Sequence, residues 1–325
     1  MKMFDFSDKK HTVHSVKWIV IIVLAIVFLT FGFWGSQYLI SIVTLVMIYL
    51  AMSQMWNLLS GFAGLTSLGH QAFFGIGGYV LALVAQKFQI SMWWSFLIAI
   101  VICVVFAFII SVPVFKMNGV YFTIGTWIIA EALCTLFLNW DFVNYGIGYT
   151  ISAALKISQS TLYLMSAILG VGSTALLVVI MRSKLGMSLR AIRDNTSAAE
   201  VRGVKVFSTK LIVFLISAAV MGLCGIVMYI NQIYITPKGA FSMDWTIVMV
   251  FIVIIGGSGT IEGPIVGAFI YVIINRILYN FPGYTNLILG IIAIVIIILA
   301  PKGIMGYLDE KFNWDVFDIR RRLQR

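Results

Sequence analysis

The stretch GFAGLTSLGHQAFFGIGGYV at 61–80 sets six glycines around one histidine, inside a chain that is otherwise greasy almost throughout. Gly64 and Gly69 have the spacing of a loop that cradles phosphate, but that chemistry needs a lysine next in line. Here the next residue is His70 and the surroundings are apolar, which argues against phosphate binding. The other ionisable residues inside apolar runs are Glu131, and Glu262 within a second glycine-rich stretch, IIGGSGTIEGPIVGAF at 254–269. Charges are costly in hydrocarbon, so such residues are functional candidates expected to face inward. No catalytic triad, Walker A lysine or metal-ligand cluster accompanies them. The expectation is a chain that is not an enzyme and carries no cofactor of its own.

The elements that must position these residues are membrane spans. Of the 325 residues 61% are hydrophobic and only 10% charged, far below the roughly 25% charge of a soluble domain. A bilayer core about 30 Å thick needs roughly 20 apolar residues per helix. Apolar runs fall at about 18–35, 38–56, 71–86, 93–115, 120–138, 161–181, 211–231, 245–256, 264–280 and 286–300. The fold expected is all-α: a polytopic transmembrane bundle of about 8–10 segments, some broken or re-entrant. A cytoplasmic segment 1–17 precedes the membrane domain 18–308, and a basic cytoplasmic tail 309–325 that faces solvent or lipid headgroups follows it. Cys103, Cys134 and Cys224 lie in apolar runs and read as packing residues.

The net charge of +10 has a topological explanation and does not call for nucleic acid. With ten spans and the amino terminus inside, only Lys87, Lys156, Lys238 and Arg276 of the 22 basic residues fall outside, as the positive-inside rule requires. Both termini are then cytoplasmic. Trp93, Trp94, Trp140 and Trp245 stand near span ends, where they serve as interface anchors.

The inner loop SKLGMSLRAIRDNTSAAEVRGVKV, 183–206, reads as two short helices joined by a turn. Leu185, Leu189 and Ile192 share one face, with Arg190, Arg193 and Asp194 on the rest. Ser197 and Glu200 have capping-box spacing, and Gly203 is placed to stop the second helix. Such a loop suits either the lipid surface or a cytoplasmic partner, and Glu200 suits either a cap or a partner contact.

Irregular backbone at membrane depth survives only where protein buries it or water reaches it. Gly61, Gly64 and Gly69 therefore mark a break that lines a path or braces a helix contact, with Ser60, Thr66, Ser67, His70 and Gln71 available to bond freed backbone groups. His70 suits either a packing or capping role or a substrate contact. In the second break, Gly259, Gly263 and Gly267 recur every four residues, a spacing that lets helices approach closely. Glu262 there suits either a cap or a partner contact. Two broken segments in separate halves match the layout of transporters with a path between repeats.

Four blocks carry a resemblance that runs in order over about residues 40–308. They are NLLSGFAGLTSLGHQAFFGIGGY (57–79), NGVYFTIGTWIIAEAL (118–133), AIRDNTSAAEVRGVKVFSTKLIVFLISAAVMGLCG (191–225), and IIGGSGTIEGPIVGA (254–268) with APKGIMGYL (300–308). Together they resemble the LivM-type permeases of the branched-chain amino-acid ABC transporter family. The resemblance implies a permease of a bacterial cytoplasmic membrane that pairs with a LivH-like sister permease, two ATPases that bind ATP and Mg, and an extracytoplasmic solute-binding protein. The cargo implied is leucine, isoleucine or valine, with urea, short amides or other amino acids as alternatives. It also implies that Ala198, Ala199, Glu200 and Gly203, with Arg193 in the same loop, couple to an ATPase. Gly61, Gly64, Gly69, His70, Glu131, Gly257, Gly259, Glu262 and Gly263 are then the candidates for path or gate. The rival class is a self-sufficient ion-coupled carrier that uses Glu131 and His70.

Overall fold

The computed structural model describes residues 23, 25–278, 284–300 and 302–312. The segment 1–17, the start of the first apolar run and most of the tail lie outside the described residues. Described helices correspond to the other nine apolar runs. They are α1 (Gln37–Asn57), α2 (His70–Ala82), α3 (Trp94–Val114), α4 (Val120–Asn139), α5 (Gln159–Arg182), then α6 (Lys184–Asp194) and α7 (Thr196–Val201) in the charged loop, and α8 (Val206–Gln232). A short helix α9 (Pro237–Ala240) leads into α10 (Asp244–Gly256), followed by α11 (Glu262–Leu278), α12 (Thr285–Leu299) and α13 (Gly303–Phe312). Among the described residues, seven helices are long and apolar enough to cross a membrane. The chain is a multi-pass membrane protein, built as an all-α bundle.

The helices sort by what surrounds them. Every residue of α1 from Val46 to Asn57 is buried, as is all of α2, so these two form the centre. A helix that is apolar all round belongs inside a bundle. α1 packs on α5, and α2 packs on α8. α3 meets α8 through Ser95, Ala99, Cys103, Ala107 and Ser111, one small residue per turn, so the backbones come close. Its opposite face, with Leu97, Val101, Val105 and Phe108, is exposed and suits lipid. Serine starts two of the spans: Ser36 accepts from the Leu39 N–H at 3.4 Å and Ser158 from the Thr161 N–H at 3.2 Å.

At the end of the bundle away from α6 and α7, the loop 139–160 is more ordered than its lack of motifs suggests. Tyr149 and Thr150 pair antiparallel with Ile235 and Tyr234. Lys87 Nζ donates to the Phe142 carbonyl at 2.6 Å and sits over its ring. Of the four tryptophans named as anchors, Trp93, Trp94 and Trp140 are exposed. Trp245 instead packs inward, its indole N–H donating to Gly239 O at 2.8 Å and its ring 4.5 Å from Phe74.

Candidate functional site

The first break begins as a π-helical turn, Leu58–Phe62, at the end of α1 and continues irregularly to His70. Side chains bond four of its freed backbone groups, those of Thr66, Ser67, Leu68 and Gly69. Trp56 Nε1 donates to Ser67 O at 2.8 Å, and Thr123 Oγ1 donates to Thr66 O at 2.7 Å. The Leu68 N–H reaches Thr126 Oγ1 at 3.1 Å, and the Gly69 N–H reaches Ser67 Oγ at 3.2 Å. The break is thus sutured to α4, and Gly69 lies directly against the Thr126 backbone, where a β-carbon would clash.

The second break, 257–261, joins α10 to α11. Gly257 and Gly259 have φ of 128° and 73°, a region that L side chains rarely adopt. Thr260 Oγ1 donates to Gly257 O at 2.8 Å and accepts from the Gly263 N–H at 3.1 Å, which closes the turn. Glu262 opens α11, where a negative charge suits the helix N-terminus. Gly263 and Gly267 lie against the backbone of Gly256–Gly257 and Ile252, so the expected close helix approach holds for these two. Gly259 does not share that face, because it sits in the break itself.

The two breaks meet. Asn57, at the end of α1, donates from Nδ2 to Thr260 O at 2.7 Å and accepts at Oδ1 from the Gly259 N–H at 2.9 Å. One amide side chain thereby mimics a strand partner for the second break. Gln54, one turn earlier, adds a bond from Nε2 to Ile261 O at 2.9 Å. Gly61 faces Gly259 so closely that a β-carbon would come within 2.6 Å of the Gly259 nitrogen.

The charged loop reaches the same point. Arg193, at the end of α6, donates from Nη1 to Gly61 O at 2.8 Å, and its side chain lies along Gly64 and beside Gly259. Gly64 has φ of 71°. Arg193 also pairs with the neighbouring Asp194 at 3.6 Å. Leu189 and Ile192 are buried and Leu185 is half-buried, so the apolar face of α6 rests on the bundle.

In α7 the cap differs from the one expected. Asn195, not Ser197, is the N-cap: its Oδ1 accepts from the Ala198 N–H at 2.9 Å. The helix starts one residue before Ser197, which puts the serine inside the first turn. The Gly203 N–H bonds to Glu200 O at 2.8 Å with φ of 82° at Gly203, so the glycine stop is in place. Ala199 is buried, whereas Ala198, Glu200, Val201 and Gly203 are exposed, and Val201 is 89% exposed. α7 therefore presents a small apolar knob flanked by Glu200 and Arg202.

Of the residues singled out in the sequence, Gly61, Gly64, Gly257, Gly259, Glu262, Gly263 and Arg193 come together. Gly69 and His70 lie just beyond, toward α4 and α8. His70 is fully buried, its Nε2 sharing a hydrogen bond with Ser217 Oγ at 3.1 Å. Beside it Gln71 accepts from Thr246 Oγ1. Glu131 is a correction: it does not face inward. α4 touches the chain through Phe122, Thr126, Ala130 and Cys134, and Glu131 falls outside that stripe, exposed. Gln54, Asn57, Thr123, Thr126 and Ser217 escaped the sequence reading, although each is a polar residue in or just after an apolar run. Among the described residues no three His, Cys, Asp or Glu side chains gather as a metal site would require.

Residues 38–300 match the family model described as branched-chain amino acid transport system / permease component. The high-affinity branched-chain amino acid transport system permease protein LivM of Escherichia coli K12 is 26% identical over 315 residues, covering 88% of this chain and 74% of the relative. The LivM protein of Salmonella typhimurium LT2 is 26% identical, covering 87% and 73%. A probable LivH permease of Methanocaldococcus jannaschii is 29% identical over 141 residues, covering 40% and 44%. No solved structure matches.

Proposed function

Because the chain belongs to the family of branched-chain amino acid transport system permease components, we propose that it is one permease of an ATP-driven importer for leucine, isoleucine and valine. In this reading a LivH-like sister permease completes the path, two cytoplasmic ATPases bind ATP and Mg, and an extracytoplasmic binding protein delivers the cargo. The bundle end that carries α6 and α7 faces the cytoplasm, in accord with its basic residues.

The observation that carries the mechanism is the bond from Arg193 to Gly61 O. α7 offers Ala198, Glu200, Val201 and Gly203 as the ATPase contact. The end of α6 that runs into that surface is also the end that Arg193 bonds to the first break. Asn57 then ties the first break to the second. A displacement of α7 when the ATPases close is delivered to both breaks at once, and the breaks act as the inner gate. Rigid helices joined through hydrogen-bonded turns are a physical route for such coupling.

Reconstituting the chain with its sister permease, ATPases and binding protein in liposomes tests this. ATP-dependent uptake of labelled leucine, isoleucine or valine is expected, with urea as the competing cargo. Uptake by the chain alone, driven by an ion gradient, would establish the carrier reading instead.

A further inference from the structure

The turn between α3 and α4 carries a chemistry that neither helix shows. Asn118 there precedes Gly119, and of the asparagines in the chain it alone is followed by glycine. Residues 116–120 are exposed, and the 5.8 Å contact of the Phe115 and Phe207 rings sets the turn beside the start of α8, at the bundle end that carries α6 and α7. Gly119 has φ of 55° and ψ of −124°, the first central position of a type II′ turn, which the Tyr121 N–H closes onto Asn118 O at 3.2 Å.

Among the described residues the Asn118 amide makes no hydrogen bond and the Gly119 N–H has no carbonyl partner. Apart from chain neighbours, no heavy atom lies within 4 Å of where a Gly119 β-carbon would stand, so this peptide can rotate without meeting the rest of the bundle. The other exposed asparagines among the described residues are Asn139, Asn144 and Asn195. Asn139 donates to Thr135 O at 2.8 Å and Asn195 caps α7. All three precede residues with a side chain, Trp140, Tyr145 and Thr196, which crowds the backbone nitrogen next to the amide.

We propose that Asn118 is a site of spontaneous deamidation in the folded protein, with water as the co-reactant. Asparagine is among the chemically labile side chains. The Gly119 nitrogen gives up its proton to solvent and attacks Asn118 Cγ; the new N–Cγ bond closes a five-membered succinimide, and the amide nitrogen leaves as ammonia. Water then opens the ring. Breaking the N–Cγ bond gives aspartate, whereas breaking the bond to the main-chain carbonyl gives isoaspartate. No oxidant or reductant is needed. The new negative charge at 118 suits the start of α4. Isoaspartate also inserts one more atom into the main chain just ahead of α4, where Thr123 Oγ1 donates to Gly119 O at 3.4 Å and to Thr66 O of the first break at 2.7 Å.

The test incubates the full chain, purified with whatever subunits accompany it, in mildly alkaline buffer made with heavy-oxygen water. Peptide mass spectrometry with fragmentation that separates aspartate from isoaspartate follows each site with time. The peptide holding Asn118 is expected to convert several-fold faster than those holding Asn139, Asn144 and Asn195, to both acids, with one heavy oxygen taken up. Conversion should slow in mildly acidic buffer, because the attacking nitrogen must lose its proton. Asn118→Gln, which would need a larger ring, and Gly119→Ala, which adds a β-carbon beside the nucleophile, should both slow it several-fold. A rate at 118 no higher than at the other three sites, aspartate without isoaspartate, or conversion confined to chain denatured in strong detergent would overturn the proposal. The readout is covalent, so the cargo and partners assigned above stand or fall separately.

Discussion

Arg193 Nη1 stands 2.8 Å from the carbonyl oxygen of Gly61, a residue 132 positions earlier in the chain. The carbonyl belongs to the π-helical turn at the end of α1, a feature often found at functional positions. The arginine belongs to the helix that leads into the exposed α7. A charge-assisted bond thus links the charged loop to the centre of the bundle, with Gly259 packed against both partners.

Asn57 holds the two breaks together with two hydrogen bonds. Leucine is close in size to asparagine but leaves the half-buried Gly259 N–H and Thr260 O without their protein partner, at up to about 1–3 kcal/mol for each group that water does not reach. Asn57→Leu is expected to lower the midpoint of thermal unfolding in detergent by several degrees and to reduce uptake. An unchanged midpoint would show that water replaces the clip.

Gly259→Ala combines a left-handed backbone, φ 73°, with a β-carbon 3.1 Å from Arg193 Nη1 and Gly61 O. The backbone strain alone is about 1–2 kcal/mol. Gly203→Ala has a similar φ of 82° but open space around it. Thermal melts should therefore rank Gly259→Ala below Gly203→Ala, and equal midpoints would remove the close-approach argument.

On the exposed face of α7, Glu200→Ala and Val201→Asp should leave folding within about 0.5 kcal/mol, as surface changes usually do. Both are expected to weaken retention of the ATPases during purification of the complex, Val201→Asp more strongly because it charges the apolar knob. Full retention in both variants would move the docking site elsewhere.

His70→Ala removes a fully buried ring bonded to Ser217. A packing role predicts loss of about 2–4 kcal/mol of stability, in the range of large-to-small core changes, with the ratio of leucine to valine uptake unchanged. A changed ratio with wild-type stability would assign the histidine to cargo.

Much of this was legible because hydrophobic run length and glycine clusters are local signals. The runs 38–56 and 161–181 became α1 and α5, and the glycine-rich stretches 61–80 and 254–269 contain the two breaks. The convergence of those breaks on Arg193 was not legible. It depends on pairs such as Asn57 and Thr260, 203 residues apart, and no period or motif encodes such a pairing. Asn57 looked like one polar residue ending an apolar run, and only its partners reveal the clip. Glu131 misled for a related reason: an apolar run shows that a helix crosses the membrane, not which of its faces packs on the rest of the chain, and α4 packs through Phe122, Thr126, Ala130 and Cys134. The Ser197 cap failed locally, because Asn195 competes for the same helix start and caps as well as serine.

The most direct measurement is the ratio of leucine imported to ATP hydrolysed by the reconstituted complex carrying Arg193→Ala, with Arg193→Lys alongside. Loss of one bond to a charged group, roughly 1.5–3 kcal/mol, is expected to lower the ratio about tenfold or more in Arg193→Ala while hydrolysis continues, with Arg193→Lys intermediate. A wild-type ratio in Arg193→Ala would contradict the coupling of α6 and α7 to the breaks through Gly61.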